Sequence, residues 1–252
     1  MPVTDLELAE RVLSTWDFTD PAASEERFAA AAEAETDPAR RQVLRSQAAR
    51  AQGLRGAFAD GHATLDALGD VDGLAAEPAV RSLLERGRLH NSAGDPAAAV
   101  PLFEQAYQRA SVAGFAGLAA DAAHMLAIAL PPEQQEEWAH RGLAVAEGSA
   151  DPLARTMTAA LLNNLGWTYA DADRWADALP LFERAVRVRQ ERGDPEPLLA
   201  ARWARARALR ALGRYAEALA EQRELAATPE GADDHYVTEE IGANERALTD
   251  AG

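Results

Sequence analysis

Apolar positions along the chain recur with helical spacing and are interrupted at short intervals by helix breakers. The breakers are Asp-Pro pairs at 20–21, 37–38, 95–96, 151–152 and 194–195, and a Pro-Pro pair at 131–132. Aspartate before proline is a strong helix start, because the carboxylate accepts from unbonded amides and proline has no amide hydrogen to leave unsatisfied. Between the breakers, no segment alternates with the two-residue period of a strand. The pattern predicts an all-α chain.

The spacing of the breakers also predicts where the helices lie. We expect helices over 4–16, 23–35, 38–58, 60–69, 77–92, 96–110, 114–129, 133–147, 152–172, 175–191, 195–211, 215–227 and 235–248. Short turns such as Ala93-Gly94 join them, and short turns place consecutive helices antiparallel. The helices are therefore expected to form pairs.

The pairs repeat in sequence. The ten residues from Ala97 (AAAVPLFEQA) line up with the ten from Ala176 (ADALPLFERA), 79 residues later. A further copy begins at Leu212, where LGRYAEAL matches ADRWADAL at a spacing of 40. Periods of this length indicate a repeat architecture in which each helix pair buries its apolar face against the next pair.

The best unit carries a recognisable pattern of large and small residues. It consists of Leu162, Leu165, Gly166, Tyr169, Trp175, Ala178, Phe182 and Ala185. This pattern resembles the tetratricopeptide repeat family. The resemblance implies a right-handed helical solenoid of antiparallel helix pairs with terminal capping helices. It also implies that Gly166 and Ala178 face each other where two helices approach most closely.

The same resemblance implies a division of the chain. Family-like spacing covers 38–228, which is expected to form the repeat array. Residues 1–37 are interpreted as N-terminal capping helices, and 229–252 as a C-terminal capping helix and tail.

In such arrays the first helix of each pair lines a concave surface. Asn163 and Trp167 share one helical face, and equivalent offsets give Trp203, Arg207 and Arg210 in the next unit. The equivalent positions in the units that match the repeat pattern less well include Arg50. Asn164 occupies the place where family members that bind chaperone tails hold a peptide backbone or terminal carboxylate. The candidate partner-binding residues are Arg88, His124, Asn163, Asn164, Trp167, Trp203, Arg207 and Arg210.

The chemistry of these residues favours an acidic or carboxylate-bearing peptide or protein partner. Between Pro197 and Ala216 the chain has five arginines and no acid. Guanidinium groups hold carboxylates in bidentate fashion, and tryptophan offers a flat apolar platform. The alternative stays open at this point: the arginines pair with acids of the next repeat, and Trp203 belongs to the core between repeats.

Composition excludes several other functions. A net charge of −16 and a pI of about 4.7 argue against binding nucleic acid or an anionic membrane. The absence of cysteine excludes disulfides, thiolate nucleophiles and Cys-based zinc sites. No segment has the length of a membrane span, and the acidic N-terminus is unlike a signal peptide, so a cytoplasmic location is expected.

No catalytic or metal-binding motif accompanies the repeats. His124 has no nucleophile or orienting partner at a sequence spacing typical of a catalytic site. Asp171 to Asp173 lack the other ligands of a calcium loop. We therefore expect a non-enzymatic protein- or peptide-binding module, without cofactor or metal, that acts as a scaffold or adaptor. The alternatives are a peptide-sensing regulator and, as a third class, an enzyme with a small-molecule pocket around His124 and Trp167.

Overall fold

The computed structural model describes residues 5–193 and 195–250, and in these ranges it contains helices and no strand. The all-α prediction is confirmed. The helix start predicted at Asp194 lies outside the described residues. The chain divides into two compact units, Met1–Met157 and Thr158–Gly252, called unit 1 and unit 2 below.

Unit 1 is a series of helix pairs. Its helices are α1 (Leu6–Thr15), α2 (Pro21–Ala34), α3 (Pro38–Leu54), α4 (Phe58–Asp66), α5 (Ala76–Ser92), α6 (Pro96–Ala113), α7 (Ala116–Ala129), α8 (Pro132–Gly148) and α9 (Pro152–Thr156). Successive helices from α2 to α8 pack on their sequence neighbours, and α3 also packs on α5 across the short α4. This neighbour-to-neighbour packing is what a repeat array requires.

Unit 2 continues the pattern with five helices. They are α10 (Thr158–Asp171), α11 (Trp175–Arg192), α12 (Pro195–Ala211), α13 (Tyr215–Ala226) and α14 (His235–Asp250). Each packs mainly on the helix before and after it, and α12 also contacts α10 and α14. Helices α10 and α12 therefore lie side by side.

The Asp-Pro pairs start helices as predicted. The side chains of Asp20, Asp37, Asp95 and Asp151 each accept a hydrogen bond from a backbone N–H in the first turn, at 2.9 to 3.0 Å. Each cap satisfies an amide that the helix itself leaves unbonded, a contribution of about 1 kcal/mol apiece. The helix starts are thus encoded locally.

The closest helix contacts are made by glycines against phenylalanine rings. A Cβ built on Gly166 would lie 2.5 Å from Cε1 of Phe182, and a Cβ on Gly87 would lie 2.5 Å from Cε1 of Phe103. The two pairs are 79 residues apart, the spacing found in the sequence. The side chain nearest to Gly166 is thus that of Phe182, which lies one helical turn after Ala178 on α11. Ala178 is itself fully buried.

Two predicted helix boundaries also need correction. The helix expected over 152–172 is divided at Met157, whose N–H bonds to the carbonyl of Ala154, three residues earlier, and closes α9. The helix expected over 38–58 ends at Leu54, and Gly56, in left-handed backbone conformation, follows it. Among the described residues, no helix is both long and apolar enough to cross a bilayer.

Candidate partner-binding surfaces

Unit 2 contains a pocket of about 300 Å³ between α10, α12 and the start of α14. Asn163 and Trp167 reach it from α10, one turn apart, and Trp203 reaches it from α12. The pocket is completed by Leu199, Ala200, Asp234 and Tyr236. Three of the eight sequence-predicted residues therefore meet in one cavity.

Aromatic rings form the walls of this pocket. The Trp203 ring centroid lies 6.0 Å from that of Trp167 and 6.0 Å from that of Tyr236. Behind them, Trp167 packs on Phe182 at 5.3 Å, so its position is fixed by the core of the α10–α11 pair. Such a set of rings presents a rigid apolar surface whose ordering costs little conformational entropy.

Two polar groups of the pocket have no hydrogen-bond partner among the described residues. The indole Nε1 of Trp203 is buried and has no hydrogen-bond acceptor among the described residues. The Asn163 amide, half-buried at the same pocket, makes no side-chain hydrogen bond within the described ranges. Leaving a buried donor unpaired costs about 1–3 kcal/mol, so an acceptor at this point would stabilise the protein.

Arg207 and Arg210 lie beyond the pocket and share one carboxylate. Arg210 donates to both oxygens of Glu240 on α14, at 2.7 and 3.0 Å, and Arg207 lies 3.4 Å from the same carboxylate. The Arg207 guanidinium also lies over the ring of Trp175, with 5.3 Å to its centroid. Burial lowers the pKa of Arg207, and repulsion from the charge of Arg210 lowers it further. Two guanidinium groups thus meet one carboxylate.

The other arginines of the acid-free segment are paired with the next helix. Arg202 and Arg205 both donate to Glu221 on α13, and Arg202 also reaches Glu224 at 2.7 Å. Arg214 pairs with Glu217 at 2.7 Å. These three arginines therefore follow the alternative prediction, in which the arginines pair with acids. The paired acids lie outside the segment 197–216.

In unit 1, Arg88 is held within the protein by two carboxylates. Its guanidinium donates to both oxygens of Asp121 at 2.5 and 2.6 Å and to Glu85 at 2.8 Å. Burial would lower the pKa of Arg88, but the charges of Asp121 and Glu85 outweigh it and raise the pKa. Burial would likewise raise the pKa of Asp121, but Arg88 and Arg50 hold it below its usual range. Arg88 is therefore held in ion pairs within the protein.

His124 lies one turn after Asp121 on α7 and is half-buried. Burial lowers its pKa, the charge of Asp121 opposes this, and Arg88 and Arg50 lower it further. At neutral pH the imidazole is therefore uncharged. Within the described ranges, no group of three or more His, Cys, Asp or Glu side chains has the arrangement of a metal site.

The predicted residues thus fall into separate groups. Arg88 and His124 belong to unit 1, and the remaining six belong to unit 2. Asn164 is half-buried on α10 but does not line the aromatic pocket. Sequence reasoning missed Asp234, Tyr236 and Glu240, all of them at or on α14. Their sequence carries no signal of this role, since their position depends on how α14 packs against α12 and α13.

Comparison with known proteins agrees with the repeat pattern. A sequence model of the family described as "Tetratricopeptide repeat" matches residues 157–228. No curated protein matches the chain.

Solved structures share the fold at low sequence identity. The apo form of RapI aligns with a TM-score of 0.69 and 11% identity, over 97% of this chain and 70% of RapI. A kinesin light chain-like protein of Podosopora anserina with nearly identical TPR-like repeats aligns with a TM-score of 0.55 and 20% identity, over 85% of this chain and 99% of that protein.

A third structure was solved with a ligand. NprR in complex with its cognate peptide NprX aligns with a TM-score of 0.54 and 12% identity, over 97% of this chain and 72% of NprR. These likenesses concern the fold, which is a TPR-like helical solenoid. The family match itself covers residues 157–228, in unit 2.

Proposed function

We propose that the chain is a non-enzymatic peptide-binding module and that the aromatic pocket of unit 2 holds an extended segment of the partner. The observation that carries the proposal is the buried, unpaired Nε1 of Trp203 beside the Asn163 amide. A peptide backbone offers a carbonyl to the indole N–H and both a carbonyl and an N–H to the amide. The surrounding rings would cover an apolar side chain of the same segment.

The comparisons support this class of ligand. NprR, which has the same fold, was solved with a bound peptide, and we extend peptide binding to this chain as part of the proposal. Catalysis has less support, because Trp167 is accounted for by the aromatic pocket of unit 2. A regulator that senses a peptide would use the same pocket.

Arg207 is the basis for the expected charge of the partner. Arg207, Arg210 and Glu240 together carry a net positive charge, since two guanidinium groups share one carboxylate. An acidic side chain of the peptide beside Arg207 would neutralise this surplus. We therefore propose that the bound segment has an apolar residue in the pocket and an acidic residue near Arg207.

The proposal is tested by selecting peptides from a random library on the purified protein and measuring their affinity by calorimetry. Trp203→Phe keeps a ring but removes the N–H. We expect it to weaken the selected peptides roughly tenfold, as loss of a hydrogen bond of about 1.4 kcal/mol would. The thermal stability should be unchanged or higher, because an unsatisfied donor is removed. Trp138→Phe, on α8 of unit 1, is the matched control and should leave peptide affinity unchanged.

Charge preference is tested with Arg207→Gln, which avoids placing a second carboxylate against Glu240. This variant should lower the affinity for peptides with an acidic residue and weaken the salt dependence of their binding. If the library yields no peptides, or peptides that Trp203→Phe binds equally well, peptide binding at this pocket is wrong. If the peptides are basic, the charge preference alone is wrong.

A further inference from the structure

A second pocket, in unit 1, holds a guanidinium group that has no acceptor in the part of the chain that the structure describes. Arg50 projects from α3 into a pocket of about 140 Å³ bounded by α1, α5, α7 and α9. No hydrogen bond or ion pair joins its guanidinium to any residue of the described ranges. Arg50 is nevertheless half-buried. Buried guanidinium groups are almost always paired, because removing an unpaired charge from water costs several kcal/mol.

The neighbouring acids are already bonded to other arginines. Asp121, which lines the pocket, accepts from Arg88 through both oxygens. Glu85 accepts from Arg88 as well, and Glu77 pairs with Arg81 at 2.8 Å. Arg50 and Arg88 together balance Asp121 and Glu85 in charge, yet the hydrogen bonds all go to Arg88. Since no described residue accepts from them, the five N–H donors of Arg50 are left for a ligand.

Two aromatic rings fix the position of this guanidinium. Trp16 and Phe18 are stacked at 4.7 Å with an interplanar angle of 3°, and the Arg50 Cζ lies 5.5 and 5.7 Å from their centroids. Trp16 is itself anchored, since its Nε1 donates to Gln47 at 3.1 Å. The rings hold the guanidinium by cation–π attraction, which takes up none of its in-plane N–H donors.

Apolar side chains form most of the remaining wall of the pocket. They are those of Ala9, Val12, Leu13, Leu118 and Leu153, and the wall is completed by Gly117, Thr156 and Arg81. A cavity of about 150 Å³ is large enough for a benzene ring, so this pocket accommodates a body of about that size. An anion with no apolar part would leave these walls uncovered.

We propose that the Arg50 pocket of unit 1 binds a small carboxylate with an apolar body, with the carboxylate on the Arg50 guanidinium and the body against Leu118 and Leu153. The planar guanidinium fork matches the two oxygens of a carboxylate, which is why this class is favoured over other acceptors. The pocket belongs to unit 1 alone and does not depend on peptide binding in unit 2. The two proposals can therefore fail separately.

The probe is benzoate, compared by calorimetry with benzamide, which has the same shape without charge, and with inorganic phosphate, which lacks the apolar ring. Benzoate should bind at least tenfold more tightly than either compound. Arg50→Met should abolish this binding, whereas Arg45→Met, on the exposed side of the same helix, should preserve it. Equal binding of benzamide or phosphate, no binding of benzoate, or benzoate binding that survives Arg50→Met overturns the proposal.

Thermal stability without ligand separates a binding role of Arg50 from a structural one. If Arg50 serves to bind a ligand, the Arg50→Met variant should melt at the wild-type temperature or above it, because a cation without a carboxylate partner is removed. Arg88→Met is the matched control: the same substitution should lower the melting temperature, because it leaves Asp121 and Glu85 without their partner. A drop for Arg50→Met comparable to that for Arg88→Met would show that Arg50 only supports the fold.

Discussion

Replacing Gly166 by alanine tests how closely α10 and α11 pack. The new Cβ would lie 2.5 Å from Cε1 and 2.9 Å from Cδ1 of Phe182, closer than unbonded carbon atoms approach. Phe182 is fully buried, so its ring has little room to move. Overpacking of this kind costs about 1–3 kcal/mol, while glycine to alanine inside a helix gains about 1 kcal/mol. We expect a net loss of about 0–2 kcal/mol for Gly166→Ala.

Gly242→Ala provides the internal reference. Gly242 lies inside α14 of the same unit, and its new Cβ would meet only the end of the flexible Arg246 side chain, at 3.3 Å. This substitution should therefore show the helix gain of about 1 kcal/mol alone. The difference between the two variants, about 1–3 kcal/mol, isolates the contact with Phe182.

The assay is urea unfolding followed by far-UV circular dichroism and tryptophan fluorescence. Adding Phe182→Leu to Gly166→Ala should recover part of the loss, with a coupling energy of about 0.5–3 kcal/mol between the two sites. Gly87→Ala, against Phe103 in unit 1, should repeat the effect. If Gly166→Ala stabilises the protein as much as Gly242→Ala does, the close contact and the repeat register derived from it are wrong.

Three further outcomes are expected. Arg88→Met should destabilise unit 1 by about 3–5 kcal/mol in urea unfolding, because Asp121 and Glu85 stay buried without their cation; a loss near zero would mean that the pair is solvated. Because the folded pKa of His124 is lowered, its unfolded form takes up a proton first, and stability should fall as pH drops below about 6.5. His124→Gln should reduce this slope but not abolish it, since the pKa of His62 is also lowered; an unchanged slope would contradict the assignment. Deleting 230–252 removes Glu240 and should expose Leu225, so the melting temperature should fall while the helical circular dichroism signal persists. Complete loss of the helical signal would show that α14 is part of the core.

Sequence alone determined the helices and their pairing. The Asp caps and Gly turns act within one turn of chain, so Asp20, Asp37, Asp95 and Asp151 could be recognised without knowledge of the fold. The repeat at 79 residues likewise predicted the all-α fold, because the same local pattern produces the same helix pair twice. The aromatic pocket was predicted in part, since the one-turn spacing of Asn163 and Trp167 already places both side chains on one helical face.

Tertiary structure decided which charges are available to a partner. Arg88, Arg202 and Arg50 are alike in sequence, each an arginine on a helix. Arg88 and Arg202 are bonded to carboxylates, whereas Arg50 has no carboxylate partner among the described residues. The carboxylates that pair with Arg88 and Arg202 come partly from other helices, at separations of 19 to 33 residues. Long-range pairing depends on the crossing and rotation of packed helices. A periodicity of 3.6 residues fixes a face of one helix but not the side chain that meets it from the next.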